Sequence, residues 1–467
     1  MIRDEAQSPP PGRPASVQMP RRLIIGLAIG LCALTFMVSD IPFVWAAPAA
    51  LGVGLLGGAV AFRAPYLVCL CFVVLSYFRL HEAYPLLEPF RFPQLFAIAT
   101  LGLMGLLLMI GRLQVFVRRE HVAFVIFALL VVLGLPLSTS FGESWATFTD
   151  NFIKIIVMMF ALSYMCRSER DFKITAYAMM LAGAAVAAIA ISNMVQGIEL
   201  IEGTRVTIGR SRGAILGDPN DLAAILSFAL AFAITALLRA DAPLMLRALG
   251  FVSALMLLTA IVGTQSRGSL LGVAVLLAIL AYDRVRSKIL VGAAGVIGLV
   301  LLLTISGISD RQTAQVAEGA IVDESAQGRL IAWQTATNMA LAHPLTGVGI
   351  GNFYNNYYQF TPEWDGKNHA VHSTWFEVLA ETGFPGLIAF VVMIVLNFRT
   401  LLGLRRADRN TPRGQKGLWH SILTQAVFAG FVSFLVSGTF LTHAFTWPIY
   451  ILIAFTIALA RTTEASH

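Results

Sequence analysis

Apolar runs about as long as a bilayer is thick recur along nearly the whole chain, interrupted once by a long polar stretch. Runs of roughly the span length lie near 22–39, 43–61, 65–78, 93–111, 121–138, 151–166 and 174–195. More follow near 219–238, 248–263, 269–282, 289–306, 384–402, 419–438 and 443–460. That gives 14 candidate spans, or 12 if the shortest pair as half-helices. At 57% hydrophobic, 13% charged and mean hydropathy +0.76, the chain has too much apolar surface to be covered in water. Within lipid a segment must satisfy its own backbone hydrogen bonds. These runs also lack the alternation of a barrel strand. The expected fold is therefore all-α and polytopic, one membrane domain without internal repeats.

Basic residues give the orientation. With the N-terminus inside, 23 of the 33 Lys and Arg fall in cytoplasmic segments, 9 fall opposite, and Lys154 lies within a span. The net charge of +7 is thus mostly a topology signal. Spread over short loops and two termini, it makes no patch for nucleic acid. The reading places both termini in the cytoplasm and the long polar stretch, 307–371, outside, in the periplasm of a Gram-negative host.

Four segments follow. Residues 1–21 are polar and Pro-rich and read as a disordered cytoplasmic tail. Residues 22–306 hold the N-terminal spans, 307–383 a large periplasmic helical loop, and 384–460 the C-terminal spans. The first span lacks a small-residue cleavage pattern and reads as an ordinary helix or uncleaved anchor. Cys32, Cys69, Cys71 and Cys166 all fall inside spans, which favours apolar packing over disulfides or metal ligation.

The 65-residue stretch from Gly307 to Val371 has no structural purpose in a bundle of spans, so chemistry is expected where it meets the membrane. Ala326–Ala342 has helical character, with Arg329, Trp333 and Ala336 on one stripe and His343-Pro344 as its stop. Gly347-Val-Gly-Ile-Gly351 and an aromatic tract beginning at Phe353 follow; the tract suits sugar stacking and equally a membrane-interface belt. A helix restarts where Thr374-Trp-Phe-Glu377 fits a capping box. His372 thus sits just ahead of a helix N-terminus, whose dipole favours a neutral ring able to accept a proton. His343 reads as structural.

Arg267, in Gly263-Thr-Gln-Ser-Arg-Gly268, lies in a short turn on the side depleted of positive charge. Such an arginine either anchors the interface or holds an anion, and the depletion favours the anion. Arg329 is the next candidate. The stretch 307–371 carries six acidic residues against Arg311, Arg329 and Lys367, so individual arginines rather than a general field must attract an anion. Two guanidiniums on one diphosphate supply bidentate, charge-assisted bonds without a metal. Arg205, Arg210 and Arg212 form a further outer basic group, able to bind lipid phosphates or remain solvated. Asp218-Pro219 after them reads as a helix cap and first turn. Lys154 can snorkel and reads as structural.

Other chemistries find no motif. The glycines at 347–351 lack a third dinucleotide-fingerprint glycine, His81-Glu-Ala-Tyr-Pro85 lacks the second zinc histidine, and no Walker lysine motif appears. No acidic pair of the kind that holds a catalytic metal beside a sugar donor is present. No cofactor, metal or nucleotide is expected. A transporter would need mid-span charges and internal symmetry; only Lys154 qualifies, and no repeat is visible.

Taken together, Ser266-Arg267-Gly268, Gly328-Arg329 with Trp333, His343-Pro344-Leu-Thr-Gly347-Val-Gly349, and His372 with Glu377-Val-Leu-Ala-Glu381-Thr-Gly383 and Gly386 resemble the O-antigen ligase family. The resemblance covers roughly residues 200–390. It extends to O-antigen and exopolysaccharide polymerases and to some protein O-oligosaccharyltransferases. It implies a metal-independent, inverting glycosyltransferase with a GT-C-type fold in the bacterial inner membrane. The implied donor is a glycan on undecaprenyl diphosphate and the implied acceptor a sugar hydroxyl of lipid A–core. By the same resemblance Arg267 and Arg329 bind the diphosphate, and His372 orients or deprotonates the acceptor. Arg210, Arg212 and Glu381 are further candidate substrate contacts.

Overall fold

The computed structural model describes residues 62–84, 92–282, 326–411 and 417–464, with isolated positions between 284 and 298. The chain divides into two units, 1–64 and 65–467; of the first only 62–64 are described, and the account below concerns the second. The tail, the expected spans at 22–39, 43–61 and 289–306, Cys32, and 307–325 of the polar stretch lie outside the described residues or almost wholly so.

Of the described residues 79% are helix and 1% strand, as in an all-α polytopic membrane protein. The first helices are α1 (Pro65–Phe78), α2 (Leu80–Ala83), α3 (Phe92–Met109), α4 (Arg119–Gly134) and α5 (Phe141–Thr147). A π-helical turn, Phe148–Phe152, joins α5 to α6 (Ile153–Met165), and α7 (Glu169–Gln196), α8 (Pro219–Leu237), α9 (Leu244–Thr264) and α10 (Arg267–Tyr282) follow. The polar stretch contributes α11 (Ala326–Ala342) and α12 (Phe353–Phe360), and the chain ends with α13 (Thr374–Asn410), α14 (Leu418–Ser437) and α15 (Trp447–Glu464). Among the described residues eight helical segments are long and apolar enough to cross a membrane, and α1 and α10 are shorter apolar helices.

Local chemistry sets the boundaries. Ser168 and Asp171 cap each other's backbone at the start of α7. Asp218 accepts from the amides of Asn220 (2.7 Å) and Asp221 (3.3 Å), with Pro219 at the first helical position. The expected cap at Thr374 forms differently. Ser373 is the N-cap residue and makes no side-chain cap bond, while Glu377 turns away from its own helix start to accept from the Ala444 amide at 2.8 Å. A tertiary partner has displaced the local one. The last span also starts later than the apolar run at 443–460: the helix begins at Trp447, and 441–446 is loop.

α8 is the axis of the bundle, buried at nearly every position from Pro219 to Ala236. It packs against α7, α9 and α14. Ala223, Ala229, Ala233 and Ala236 keep it slim, so neighbouring backbones approach closely where dispersion rather than exclusion from water drives association. Cys69 and Cys166 are buried in this packing and Cys71 half-buried, all as free thiols.

Polar contacts gather at two opposite ends. At one, buried Glu120 lies beside Arg118 (3.1 Å), Arg119 donates to Thr400 Oγ1, and Glu169 receives the amides of Trp419 and His420. The other end carries the start of α13, the α9–α10 turn and the polar stretch. The latter builds its own small core from Ala332, Ala336, Met339, Val348, Phe353, Tyr357, Val371 and Ala380.

Candidate active site

Three chain segments meet at that second end, and each brings one of the candidate residues. The first is the entry to α13. His372 is half-buried, adopts the left-handed conformation (φ 47°), and donates its amide to Thr442 Oγ1 at 3.1 Å. A left-handed non-glycine residue is uncommon and needs outside support. The support comes from the 441–446 loop. Thr374 Oγ1 donates to the Leu441 carbonyl (2.9 Å) and accepts from the His443 amide, and Glu377 holds Ala444. Four hydrogen bonds to the consecutive loop residues Leu441 to Ala444 thus hold the backbone that presents His372.

The α9–α10 turn is the second segment. α9 closes on Gln265, itself left-handed (φ 53°), and α10 opens at Arg267, whose side chain is exposed. Gly268 explains why this turn reaches the 3₁₀ turn after α14: a Cβ there would lie 3.1 Å from the Phe440 Cβ, so the residue has to be small for so close an approach. Gly438, two residues earlier, packs in turn near Thr374 Oγ1. The N-termini of α10 and α13 therefore flank the single 3₁₀ turn Gly438–Phe440. Behind Arg267 the turn is braced by Arg205. This arginine is buried and donates to the Thr264 carbonyl (3.1 Å) and Asn220 Oδ1 (3.2 Å). Of the outer basic group it is thus a strut rather than a surface charge. Arg210 binds the Gly217 carbonyl while its amide donates to Glu199, and Arg212 is exposed elsewhere at this end.

α11 is the third segment. Trp333 stacks on Phe376, ring centroids 5.2 Å apart and planes 10° from parallel, which ties the helix to the first turn of α13. Such stacking contributes about 0.5–1.5 kcal/mol beyond area burial. Arg329 is one turn N-terminal to Trp333 and half-buried, so the stack that holds α11 beside His372 brings Arg329 with it.

A glycine-rich hairpin closes the far side. Gly347, Gly349 and Gly351 all adopt positive φ, and a side chain at Gly349 would collide with Ser138 and Ser144. Glu381 clamps this loop: one carboxylate oxygen accepts from Gly351 N (2.8 Å), the other from Phe353 N (3.1 Å). Both its oxygens are thus engaged on backbone within the fold. In the aromatic tract Phe353 and Tyr357 are core, whereas Tyr354, Tyr358 and Trp364 are each a little over half exposed and are the members able to meet a ligand.

The sequence pattern had pointed to Arg267, Arg329 and His372; it had read Glu377 as a helix cap and had not pointed to Thr442 or His443. His443 is buried, with Nδ1 3.1 Å from Thr446 Oγ1 and Nε2 3.4 Å from Asp221 Oδ1. Burial pushes its pKa down to about 4, against the opposing pull of the Asp218 carboxylate, so the ring is neutral near pH 7. Its place at the head of an apolar run concealed it.

Fold and site together define a multi-pass, all-helical membrane protein whose polar candidate site gathers at the ends of its helices. Residues 251–391 match the family model described as O-antigen ligase, which supports assigning the chain to the O-antigen ligase family. The match takes in Arg267, Arg329 and His372. That family indicates a glycosyl-transferring membrane enzyme of the ligase or polymerase type. Its substrates are in general lipid-linked glycans and lipid A–core-type acceptors. No curated protein matches the chain.

Proposed function

We propose that the protein is an O-antigen ligase of the inner membrane. In this reading it transfers a glycan from undecaprenyl diphosphate to a sugar hydroxyl of lipid A–core at the periplasmic face, with a GT-C-type fold and both termini cytoplasmic. The observation that carries the reading is the meeting of the Arg267 turn, the Arg329 helix and His372 at one polar end of an apolar bundle. A diphosphate attached to a membrane-embedded chain sits at this depth.

The chemistry follows from the parts. The acceptor oxygen attacks the anomeric carbon from the face opposite the diphosphate and loses its proton to His372 as the new bond forms. The bond from that carbon to the phosphate oxygen breaks, and negative charge collects on the departing diphosphate. Arg267 and Arg329 stabilise that charge in the transition state more than in the ground state. Arg267 starts a helix, so the first-turn amides of α10 add their partial positive charge. An activated diphosphate needs no nucleotide, and the two arginines and the histidine suffice without a metal. Glu381 acts by shaping the glycine loop, and Arg210 stays outside the diphosphate site.

Lipopolysaccharide gels of a deletion strain test the reading. A ligase leaves lipid A–core with no polymer attached; a single-repeat cap indicates the polymerase of the same family, and an unaltered polymer ladder rules out both. Turnover by purified protein, with donor and acceptor presented on one side, separates either from a transporter.

A further inference from the structure

A cavity of about 820 Å³ opens at the same end of the bundle, lined by residues other than Arg267, Arg329 and His372. Its charged and polar wall comes from parts of the chain far apart in sequence: Arg79, His81, Asp150, Lys154 and Arg212. Local devices place several of them. Arg79 is left-handed (φ 47°) after α1 and donates to Glu82 Oε1 at 2.6 Å. The second oxygen of Glu82 accepts from the Ile215 amide (3.3 Å), which pins the loop bearing Arg212 over the cavity. The π turn at Phe148–Phe152 sets Asp150 in the wall just ahead of Lys154. An i→i+5 turn of this kind inside a helix is rare and recurs at functional sites.

Two features of the wall call for a ligand. Among the described residues neither Lys154, which is half-buried, nor Arg212 has a hydrogen-bond or ion-pair partner, whereas Arg79 is engaged with Glu82. His81 Nδ1 is buried, again with no hydrogen-bond partner among the described residues. A buried ring nitrogen without a partner is costly unless something completes it. Burial lowers the pKa of His81, with Arg79 and Lys154 adding to that and Glu82 opposing it, so the ring is a neutral N–H donor near pH 7. Convergent cations and a neutral donor suit phosphate oxygens. The rest of the wall is mixed: Ser76, Gln94 and Asn151 are polar and the Glu82 carboxylate is paired with Arg79, while Pro93, Ile215 and Trp447, edge-on to Phe72 (5.6 Å), give it an apolar side. α3 starts at the cavity and leads away with Leu95, Ile98 and Leu101 exposed, a surface for acyl chains.

We propose that this cavity binds the phosphate of an anionic lipid headgroup, with Lys154 and Arg212 as its ligands and His81 as a donor, at a site separate from the one that holds the donor diphosphate. The idea stands on the cavity alone and does not require the ligase reading.

Native mass spectrometry of delipidated protein in detergent, titrated with phosphatidylglycerol or phosphatidylcholine, tests it. The expected result is preferential retention of one phosphatidylglycerol, weakened at least tenfold in the Lys154→Gln/Arg212→Gln double variant. Among the described residues neither side chain has a hydrogen-bond or ion-pair partner to lose, and the Lys154→Arg/Arg212→Lys pair should fold and keep binding. Equal phosphatidylglycerol retention by wild type and the Gln double variant would overturn the site. A thermal shift with inorganic phosphate alone, as large as with lipid and lost in that variant, would overturn the lipid assignment and leave a free-phosphate site.

Discussion

The backbone amide of His372 donates to Thr442 Oγ1 at 3.1 Å, across 70 residues of chain, and holds the histidine in a left-handed conformation it would not keep alone. Thr374 and Glu377 repeat the attachment two and five positions on, through Leu441, His443 and Ala444. The 441–446 loop is thus the mould in which the proposed base is set. Thr442→Val keeps the shape and removes the acceptor. Glycan transfer should fall about tenfold, the equivalent of one net hydrogen bond of ~1.4 kcal/mol. Thr442→Ser should restore it. Initial rates on a lipid-linked donor measure the effect; an unchanged rate for the valine variant would show that the conformation needs no such support.

His372→Ala and Arg329→Ala should each abolish polymer attachment while the protein still inserts at normal abundance. Arg329→Lys should recover only a small part, because an ammonium keeps the charge and loses the two-pronged geometry. Complementation of a ligase-deficient strain, read on lipopolysaccharide gels with immunoblots for abundance, decides it. Full complementation by His372→Ala would remove that residue from the mechanism.

Trp333 joins Arg329 to the rest of the site only through packing. Trp333→Ala should loosen α11 and lower transfer with little change in overall melting, whereas Trp333→Phe should keep much of the stack on Phe376. Protease sensitivity within Ala326–Ala342 should rise in the alanine variant alone. Equal protection of both variants would mean that the stack does not anchor the helix.

How much of this was readable beforehand divides along a physical line. Each of the eleven apolar runs that fall on described residues coincides with a helix, eight helical segments being long and apolar enough to cross a membrane, because a run of apolar residues is itself the cause of a span; the ends differ by up to about ten residues. Asp218-Pro219 announced α8, since the capping side chain and the amides it serves are neighbours in sequence. Contacts made across the fold were not readable. Glu377 has the right spacing for a capping box, yet its carboxylate goes to Ala444, and nothing near it in sequence signals the change. The cavity around Lys154 was equally hidden: it needs the π turn, the Arg79–Glu82 pair and the 210–215 loop at once. Lys154 by itself looks like a snorkelling side chain.

Glu381 should matter for stability more than its place in the family-like motif would indicate. Its carboxylate serves two amides of the glycine loop. Glu381→Ala leaves both without an acceptor, and each buried amide left unsatisfied costs roughly 1–3 kcal/mol. Glu381→Gln retains one acceptor oxygen and should melt between wild type and the alanine variant. Thermal unfolding in detergent gives the ranking; a glutamine variant less stable than alanine would contradict the clamp.

His443 makes stability depend on pH in a direction that can be worked out. Its pKa is about 4 in the folded protein because the ring is buried, against about 6.5 in an unfolded chain. Between those values the unfolded state binds the extra proton, so stability rises with pH across the window. The contribution is fully present above pH 6.5 and is lost progressively as pH falls toward 4, on the order of 3 kcal/mol at its limit. Melting curves from pH 7.5 to 4.5 should show the decline, and His443→Gln should flatten it, because a glutamine cannot take up the proton. The decline should also detach the 441–446 loop, since a charged ring cannot stay in that site. Transfer activity should therefore fall with the same midpoint as the melting temperature in wild type but not in the glutamine variant. An identical pH profile for the two proteins would place the titration on another group.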